Sequence, residues 1–141
     1  IIYLEDDVVE IEGLYIYGNP HVPKHGNWAF MKTPEKLNRY WREVRPLYAD
    51  ILVTHGPPKG ILDKSYNRNR EIDQCGDKNL LNMVKDLKPS YHLFGHTHDV
   101  SDLMNAGTCN ISGINTTFSN GTVVTDRKFG TLTSNGNILE I

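Results

Sequence analysis

Apolar residues recur along this chain at two spacings, alternate positions and positions three or four apart, and the switches between them mark its elements. Val8-Val9-Glu10-Ile11-Glu12 and Leu14-Tyr15-Ile16-Tyr17 are β-rich runs with partial alternation, split by Gly13, and predict a hairpin. From Gly18 to Phe30 no period survives. Gly18, Pro20, Pro23 and Gly26 punctuate that stretch, so a long irregular loop carrying His21, His25 and Trp28 is expected, and such loops are often functional. Thr33-Pro34-Glu35 then opens a helix, with Thr33 as N-cap, Pro34 at the first helical position and Glu35 at the positive end of the dipole. Leu37, Tyr40, Trp41 and Val44 give that helix one apolar face, which assigns Trp41 to the core, and Pro46 stops it.

Asp50-Ile51-Leu52-Val53-Thr54 is a short apolar run of the kind buried on both faces of a parallel sheet. It enters His55-Gly56-Pro57-Pro58, where two prolines forbid its continuation. The polar stretch 59–76 reads as a loop, and Asn67-Arg68-Asn69-Arg70 within it as a solvated basic run. A second helix is predicted from Asp77 as N-cap to Leu87, with Leu80, Leu81, Val84 and Leu87 on its apolar face and Pro89 closing it. Tyr91-His92-Leu93-Phe94 is a further buried strand ending at Gly95-His96. Strand, helix, strand in that order argues for a right-handed parallel crossover. His55 and His96 then stand at the carboxyl ends of neighbouring strands, where open α/β sheets place their sites. After Asp99, short strands are expected at Thr122-Val123-Val124-Thr125, Gly130-Thr131-Leu132-Thr133 and Asn137-Ile138-Leu139-Glu140-Ile141, with Asn135-Gly136 as a hairpin turn. The whole reads as one α/β domain, residues 1–141, without repeats.

Composition narrows the function classes. A net charge of -2 and a pI near 6.3 give no electrostatic footprint for nucleic acid. No run approaches the roughly 18 apolar residues that span a bilayer, and the first residues lack the basic and apolar segments of a signal peptide. A cytoplasmic protein is expected, with Cys75 and Cys109 as reduced thiols. The chain begins without methionine in what reads as the middle of a sheet, which suggests a trimmed or truncated product.

Three of the six histidines lie in the two strand-end segments. In Gly95-His96-Thr97-His98 the imidazoles are two residues apart, which in extended chain sends both to one side, and Gly95 lets the backbone pass close to an ion. Neutral imidazole is the commonest biological metal ligand. His55, His96 and His98 are therefore the candidate metal ligands. His21 and His25 read as loop histidines at the surface or at a substrate's edge, and His92 as an interior histidine.

Thr54-His55-Gly56-Pro57-Pro58 and Phe94-Gly95-His96-Thr97-His98-Asp99 resemble the fourth and fifth motifs of the calcineurin-like metallophosphoesterases. Tyr15-Ile16-Tyr17-Gly18-Asn19-Pro20 and Asn27-Trp28-Ala29-Phe30 resemble the branch of small metallophosphoesterase-domain proteins. The resemblance covers nearly all of residues 14–109. It implies a two-layer β sandwich flanked by helices and a centre of two divalent ions, Mn, Fe or Zn, with His55 and His96 on one ion and His98 on the other. It implies hydrolysis of phosphodiesters or phosphomonoesters, nucleotide-like ones included, by a metal-activated hydroxide. Trp28 is then a candidate base-stacking platform, with His21 and Asn19 as further substrate-binding candidates.

Three earlier motifs of that family, Asp-x-His, Gly-Asp and Gly-Asn-His-Asp/Glu, have no match before Leu14. With them go the bridging carboxylate, an asparagine ligand and the histidine that protonates the leaving group, so no catalytic residue is assigned. Asp63, Asp99 and Asp102 lie nearby, but none has the strand-end placement of a bridge, and Asp99 reads as a turn residue or a ligand's partner. The chain reads as the C-terminal portion of a metallophosphoesterase domain that carries half a site, binds one ion or none, and is inactive alone. Two alternatives differ in class. One is a mononuclear zinc hydrolase with three histidine ligands. The other is a non-catalytic binding or regulatory fragment that self-associates or pairs with a missing N-terminal segment.

Overall fold

The computed structural model describes residues 1–100, 103–125, 132 and 134–141. In chain order its elements are β1 (Asp7–Ile11), β2 (Leu14–Asn19), β3 (Val22–Pro23), β4 (Met31–Lys32), α1 (Pro34–Glu43), β5 (Ile51–Thr54), β6 (Lys64–Tyr66), β7 (Ile72–Gln74), α2 (Lys78–Leu87), β8 (Tyr91–Phe94), β9 (Gly107–Ile111) and β10 (Ile114–Asn120). Six strands form the main sheet in the order β1-β2-β5-β8-β10-β9. Its four inner strands are parallel, and β1 and β9 pair antiparallel at its edges.

The hairpin β1–β2 turns at Glu12 and Gly13, both with positive φ, and pairs Ile11 with Leu14. Helix α1 starts where its cap was expected: the Thr33 hydroxyl accepts from the Lys36 amide at 3.5 Å, and Pro34 is the first helical residue. Helix α2 is capped by Asp77, whose Oδ1 accepts from the Asn79 amide at 2.8 Å, and it ends on left-handed Lys88 just before Pro89. The two helices cover one face of the sheet. Registry sets Tyr17, Leu52, His92 and Phe118 in a row across that face. Leu37 and Trp41 of α1 and Leu80, Met83 and Val84 of α2 pack against it. Trp41 is core, and its indole N–H donates to Asp77, tying α1 to the cap of α2.

The α/β reading and the flanking helices hold. Of the sandwich that the resemblance implies, the described residues supply one six-stranded sheet and two small two-stranded ones, β3–β4 and β6–β7. Two local expectations need correction. The stretch read as polar loop contains the hairpin β6–β7, whose tip holds the solvated Asn67–Arg70 run: the Asn67 side chain accepts from the Asn69 and Glu71 amides. The C-terminal strands are also elsewhere. β9 and β10 form a hairpin through Gly113, whereas Thr122-Val123-Val124-Thr125 contributes only a bridge from Val124 to Leu132, and 137–141 is irregular. Thr-rich Ile114–Asn120 reads poorly by hydrophobicity, yet β-branched threonine suits a half-buried strand. Asp102, and all but Leu132 of the strand expected at 130–133, lie outside the described residues.

Candidate functional site

The carboxyl ends of β2, β5, β8 and β10 form one rim. Each ladder runs one step beyond its strands there: the His55 amide donates to the Asn19 carbonyl at 3.2 Å, Gly95 to His55 at 3.1 Å, and Gly121 to Phe94 at 2.8 Å. The His55 and His96 rings meet on this rim with centroids 4.7 Å apart and planes tilted by 52°. His25 reaches in from the loop after β3, its centroid 5.2 Å from that of His96. Desolvation at this rim, and then the electrostatic effect of neighbouring His25, lower the His55 pKa. Both favour the neutral imidazole, the form that ligates metals.

The turn after β5 is held from beneath by a buried polar relay. The Thr54 hydroxyl donates to the Gly56 carbonyl at 2.7 Å and lies 2.8 Å from His92 Nε2. A hydroxyl has one proton. Since Gly56 takes it, His92 Nε2 is the donor to Thr54 and Nδ1 carries the lone pair. That Nδ1 is buried without a hydrogen-bond partner, between the rings of Phe94 and Phe118. Burial holds the His92 pKa down to about 3, so the ring stays neutral. His92 is interior, as expected, and it also supports the turn that presents His55.

The turn after β8 is held differently. His96 has φ +70°, a left-handed conformation that non-glycine residues adopt at a cost. Behind it, the buried Asn120 amide donates to the Thr97 carbonyl and the Thr97 hydroxyl, both at 3.0 Å, and to the Leu62 carbonyl at 3.3 Å. The Thr97 hydroxyl in turn donates to Leu62 at 2.9 Å. Asn105 donates to the His98 and Lys64 carbonyls, and its backbone amide donates to Asp99 Oδ1 at 2.8 Å. Asn105 and Asn120 are both fully buried, and sequence reasoning missed both. A buried asparagine leaves no periodic signal. The only sequence clue was Asn120-Gly121, a turn pair directly after a Thr-rich run.

The side-chain direction expected for His98 assumed extended chain through His96. Left-handed backbone at His96 breaks that alternation. His98 lies half-buried, with Nδ1 buried and unpartnered. Among the described residues no three His, Cys, Asp or Glu side chains are arranged to hold a metal ion.

Beside the His55–His96 pair opens a cleft of about 400 Å³, lined by Pro20, Val22, Trp28, Phe30 and Met31. Trp28 is 72% exposed at its mouth and packs edge-on to His25. His21 sits inside rather than at the surface: its ring packs on Tyr40 and Phe30, and burial followed by the charge of Lys32 lowers its pKa. Asn19 is buried as well. Its Oδ1 accepts from the His21 amide at 2.9 Å, and its Nδ2 donates to Tyr40 Oη and to Asp6. Tyr40 also donates to Asp6, so that carboxylate is held within the network.

Two divalent ions roughly 3.5–4 Å apart repel each other, and a bridging carboxylate ordinarily offsets this. Asp63 Oδ2 accepts from the Gly60 and Gly76 amides at 2.8 and 3.0 Å while its Oδ1 is buried without a hydrogen-bond partner, and Asp99 Oδ1 accepts from the Asn105 amide. No three His, Cys, Asp or Glu side chains among the described residues surround one point, so they do not by themselves fit a two-ion centre.

No family profile matches the chain. A UPF0046 protein of Caenorhabditis elegans is 44% identical over 100 residues, covering 70% of this chain and 24% of that protein. Human metallophosphoesterase domain-containing protein 1 is 36% identical over 126 residues, covering 88% of this chain and 35% of that protein. The chain thus spans about a third or less of the length of these relatives. A solved crystal structure superposes with a TM-score of 0.53 at 16% identity, over 84% of this chain and 45% of that one, which supports the fold. With the strand-end motifs Thr54–Pro58 and Phe94–Asp99 at the sheet's rim, the chain belongs to the metallophosphoesterase-domain family, in the branch of these small proteins.

Proposed function

We propose that this chain is the substrate-facing, imidazole-bearing half of a metal-dependent phosphoesterase site. The observation that carries this reading is the pairing of the His55 and His96 rings, at the ends of adjacent parallel strands, over a cleft with an apolar wall. Divalent ions, in this family's chemistry, supply Lewis acidity and an activated water. The chain's own residues do the remaining work. The Thr54 relay and the Asn120 clamp hold two imidazoles at fixed places, and the wall of Val22, Phe30 and Met31 desolvates the organic part of an ester. Trp28, exposed at the mouth, offers a flat face for a planar group such as a base. Phosphate esters with an aromatic or nucleoside group suit that division between a polar rim and an apolar wall.

The test uses bis-p-nitrophenyl phosphate with added manganese. The 141-residue chain is expected to show negligible turnover, because no described residue supplies a bridging carboxylate or a leaving-group acid. A chimera carrying the N-terminal segment of a full-length relative ahead of Ile1 is expected to turn over. In that chimera His55→Ala or His96→Ala should lower kcat by at least about 100-fold. A folded, metal-loaded chimera without turnover would overturn the reading.

A further inference from the structure

We infer that the outer edge of β9 is a self-association surface, along which two copies of this chain pair antiparallel about a two-fold axis at Cys109. This goes beyond the phosphoesterase reading and does not depend on it.

The two edges of the main sheet are guarded differently. An edge strand offers unpaired N–H and C=O groups to any other strand, and charged residues, proline or a cover ordinarily prevent pairing. β1 carries Asp7 and Glu10, and Glu12 follows at its turn. β9, Gly107-Thr108-Cys109-Asn110-Ile111, has no charged residue and no proline. It ends the strand order, and among the described residues no backbone group of 108–111 bonds outside the ladder with β10. The C-terminal tail meets this strand at the Gly107 carbonyl, which accepts from Asn137 Nδ2 at 3.2 Å.

The apolar layer is also unfinished at this edge. Registry extends the core row from Phe118 to Cys109, which packs half-buried against the cluster. Ile111 stands opposite Ile114, itself packed on the cluster, yet Ile111 is exposed.

The sequence of β9 fits its own reverse. In an antiparallel pair centred on Cys109, that residue faces its counterpart, Thr108 faces Asn110, and Gly107 faces Ile111. On the core side the largest side chain of the strand then lies over the glycine, where a Cβ would meet nothing within 4 Å. On the other face a hydroxyl meets a carboxamide, a pair able to hydrogen-bond, and no like charges oppose each other. This self-match selects a second copy as the occupant. The contact is isologous and closes at two copies. With the axis normal to the sheet, the helices of both copies stay on one face and the core row continues across the seam. A five-residue strand pair buries less than the roughly 1,200 Å² of a stable complex, so the dimer is weak and forms with rising concentration.

Sedimentation equilibrium of the 141-residue chain across about 10–1,000 μM tests this. A monomer–dimer equilibrium without larger species is expected. Thr108→Lys/Asn110→Lys sets lysine opposite lysine in both polar cross-strand pairs, and should weaken dimerisation by more than about tenfold. Thr108→Lys/Asn110→Glu sets lysine opposite glutamate in the same register, and should dimerise within about threefold of wild type. Both positions are exposed, so the circular dichroism of both variants should match wild type. A chain that stays monomeric throughout the range would overturn the inference. Equal dimerisation of the two double variants would do so as well, because it would put the contact in another register or on another surface.

Discussion

The turns after β5 and β8 each bring a histidine to the same rim, and they are secured by opposite means. The first is stiffened along the chain, by Pro57 and Pro58 and by a threonine whose hydroxyl bonds two residues on. The second has no proline. It bends through a left-handed histidine and is held by the amide of Asn105, seven residues beyond His98, and by that of Asn120, 23 residues beyond Thr97. A locally stiffened turn keeps its shape when its neighbours change. A turn clamped from a distance has the shape its clamp imposes, and it fails when the clamp goes.

Removing the clamp should give the largest effect. Asn120→Ala strands the Thr97 carbonyl and the Thr122 amide in a buried setting, and each lost partner costs about 1–3 kcal/mol. A loss on the order of 3 kcal/mol is expected in urea denaturation, together with faster hydrogen exchange at the Thr97 amide. Thr54→Val in the other turn should cost about 1–3 kcal/mol, since it orphans the His92 Nε2–H and the Gly56 carbonyl but, unlike Asn120→Ala, removes no side-chain volume. If Asn120→Ala cost less than Thr54→Val, the contrast between the turns would be wrong.

Acid should weaken the β5 turn in particular, through His92. The unfolded chain protonates this residue near pH 6.5, whereas the folded chain does so only near pH 3. Between those values the unfolded state holds one proton more, so stability is full above about pH 6.5 and falls as the pH drops toward 3. The slope approaches about 1.4 kcal/mol per pH unit, giving a loss of about 2 kcal/mol between pH 7 and 5. His92→Phe removes the titrating group while Thr54 keeps its bond to Gly56. Its urea midpoint should therefore fall less over the same interval. An equal fall in both proteins would locate the acid sensitivity elsewhere.

This asymmetry also explains what the sequence disclosed. Both helices were legible because their signals are local: Thr33-Pro34 and Asp77 at the starts, stripes at three and four, and prolines beyond the ends. The strands β5 and β8 were legible as apolar runs, and the crossover between them placed His55 beside His96. The pairing β9–β10 was not, because its threonines and asparagines carry little hydrophobic signal, and its value to the site lies in contacts such as Asn120 with Leu62, 58 residues apart. The approach of His25 to His96 depends on the path of the irregular segment between β3 and β4. The turn between His96 and His98 depends on one backbone angle. Neither a path nor a sign of φ is written in a spacing.

The two glycines of these motifs should behave differently, although the sequence presents them alike. A Cβ on Gly56 would lie 2.9 Å from Val22 Cγ1, so Gly56→Ala pushes into the wall of the cleft. A cost of about 1–3 kcal/mol is expected, as for overpacking. A Cβ on Gly95 meets nothing within 4 Å, and its φ lies in the ordinary range. Gly95→Ala should stay within about 0.5 kcal/mol of wild type. A destabilising Gly95→Ala would show that the β8 turn is packed more tightly than its geometry indicates.

The smallest effect isolates the backbone of His96 from its ring. Alanine and glycine both delete the imidazole, so the difference between His96→Ala and His96→Gly reports the left-handed conformation alone. Glycine adopts φ +70° without penalty, while a residue with a Cβ bears about 1–2 kcal/mol there. His96→Gly should therefore be the more stable of the pair, by about 1 kcal/mol once glycine's greater entropy loss is set against that relief. At His55, whose φ is negative, the order should invert, with His55→Ala more stable than His55→Gly by about 0.5–1 kcal/mol. Thermal melts of the four variants decide it. The inversion follows if the second turn carries strain at the residue that bears its imidazole. The same order at both positions would mean that the two turns deliver their histidines at equal cost.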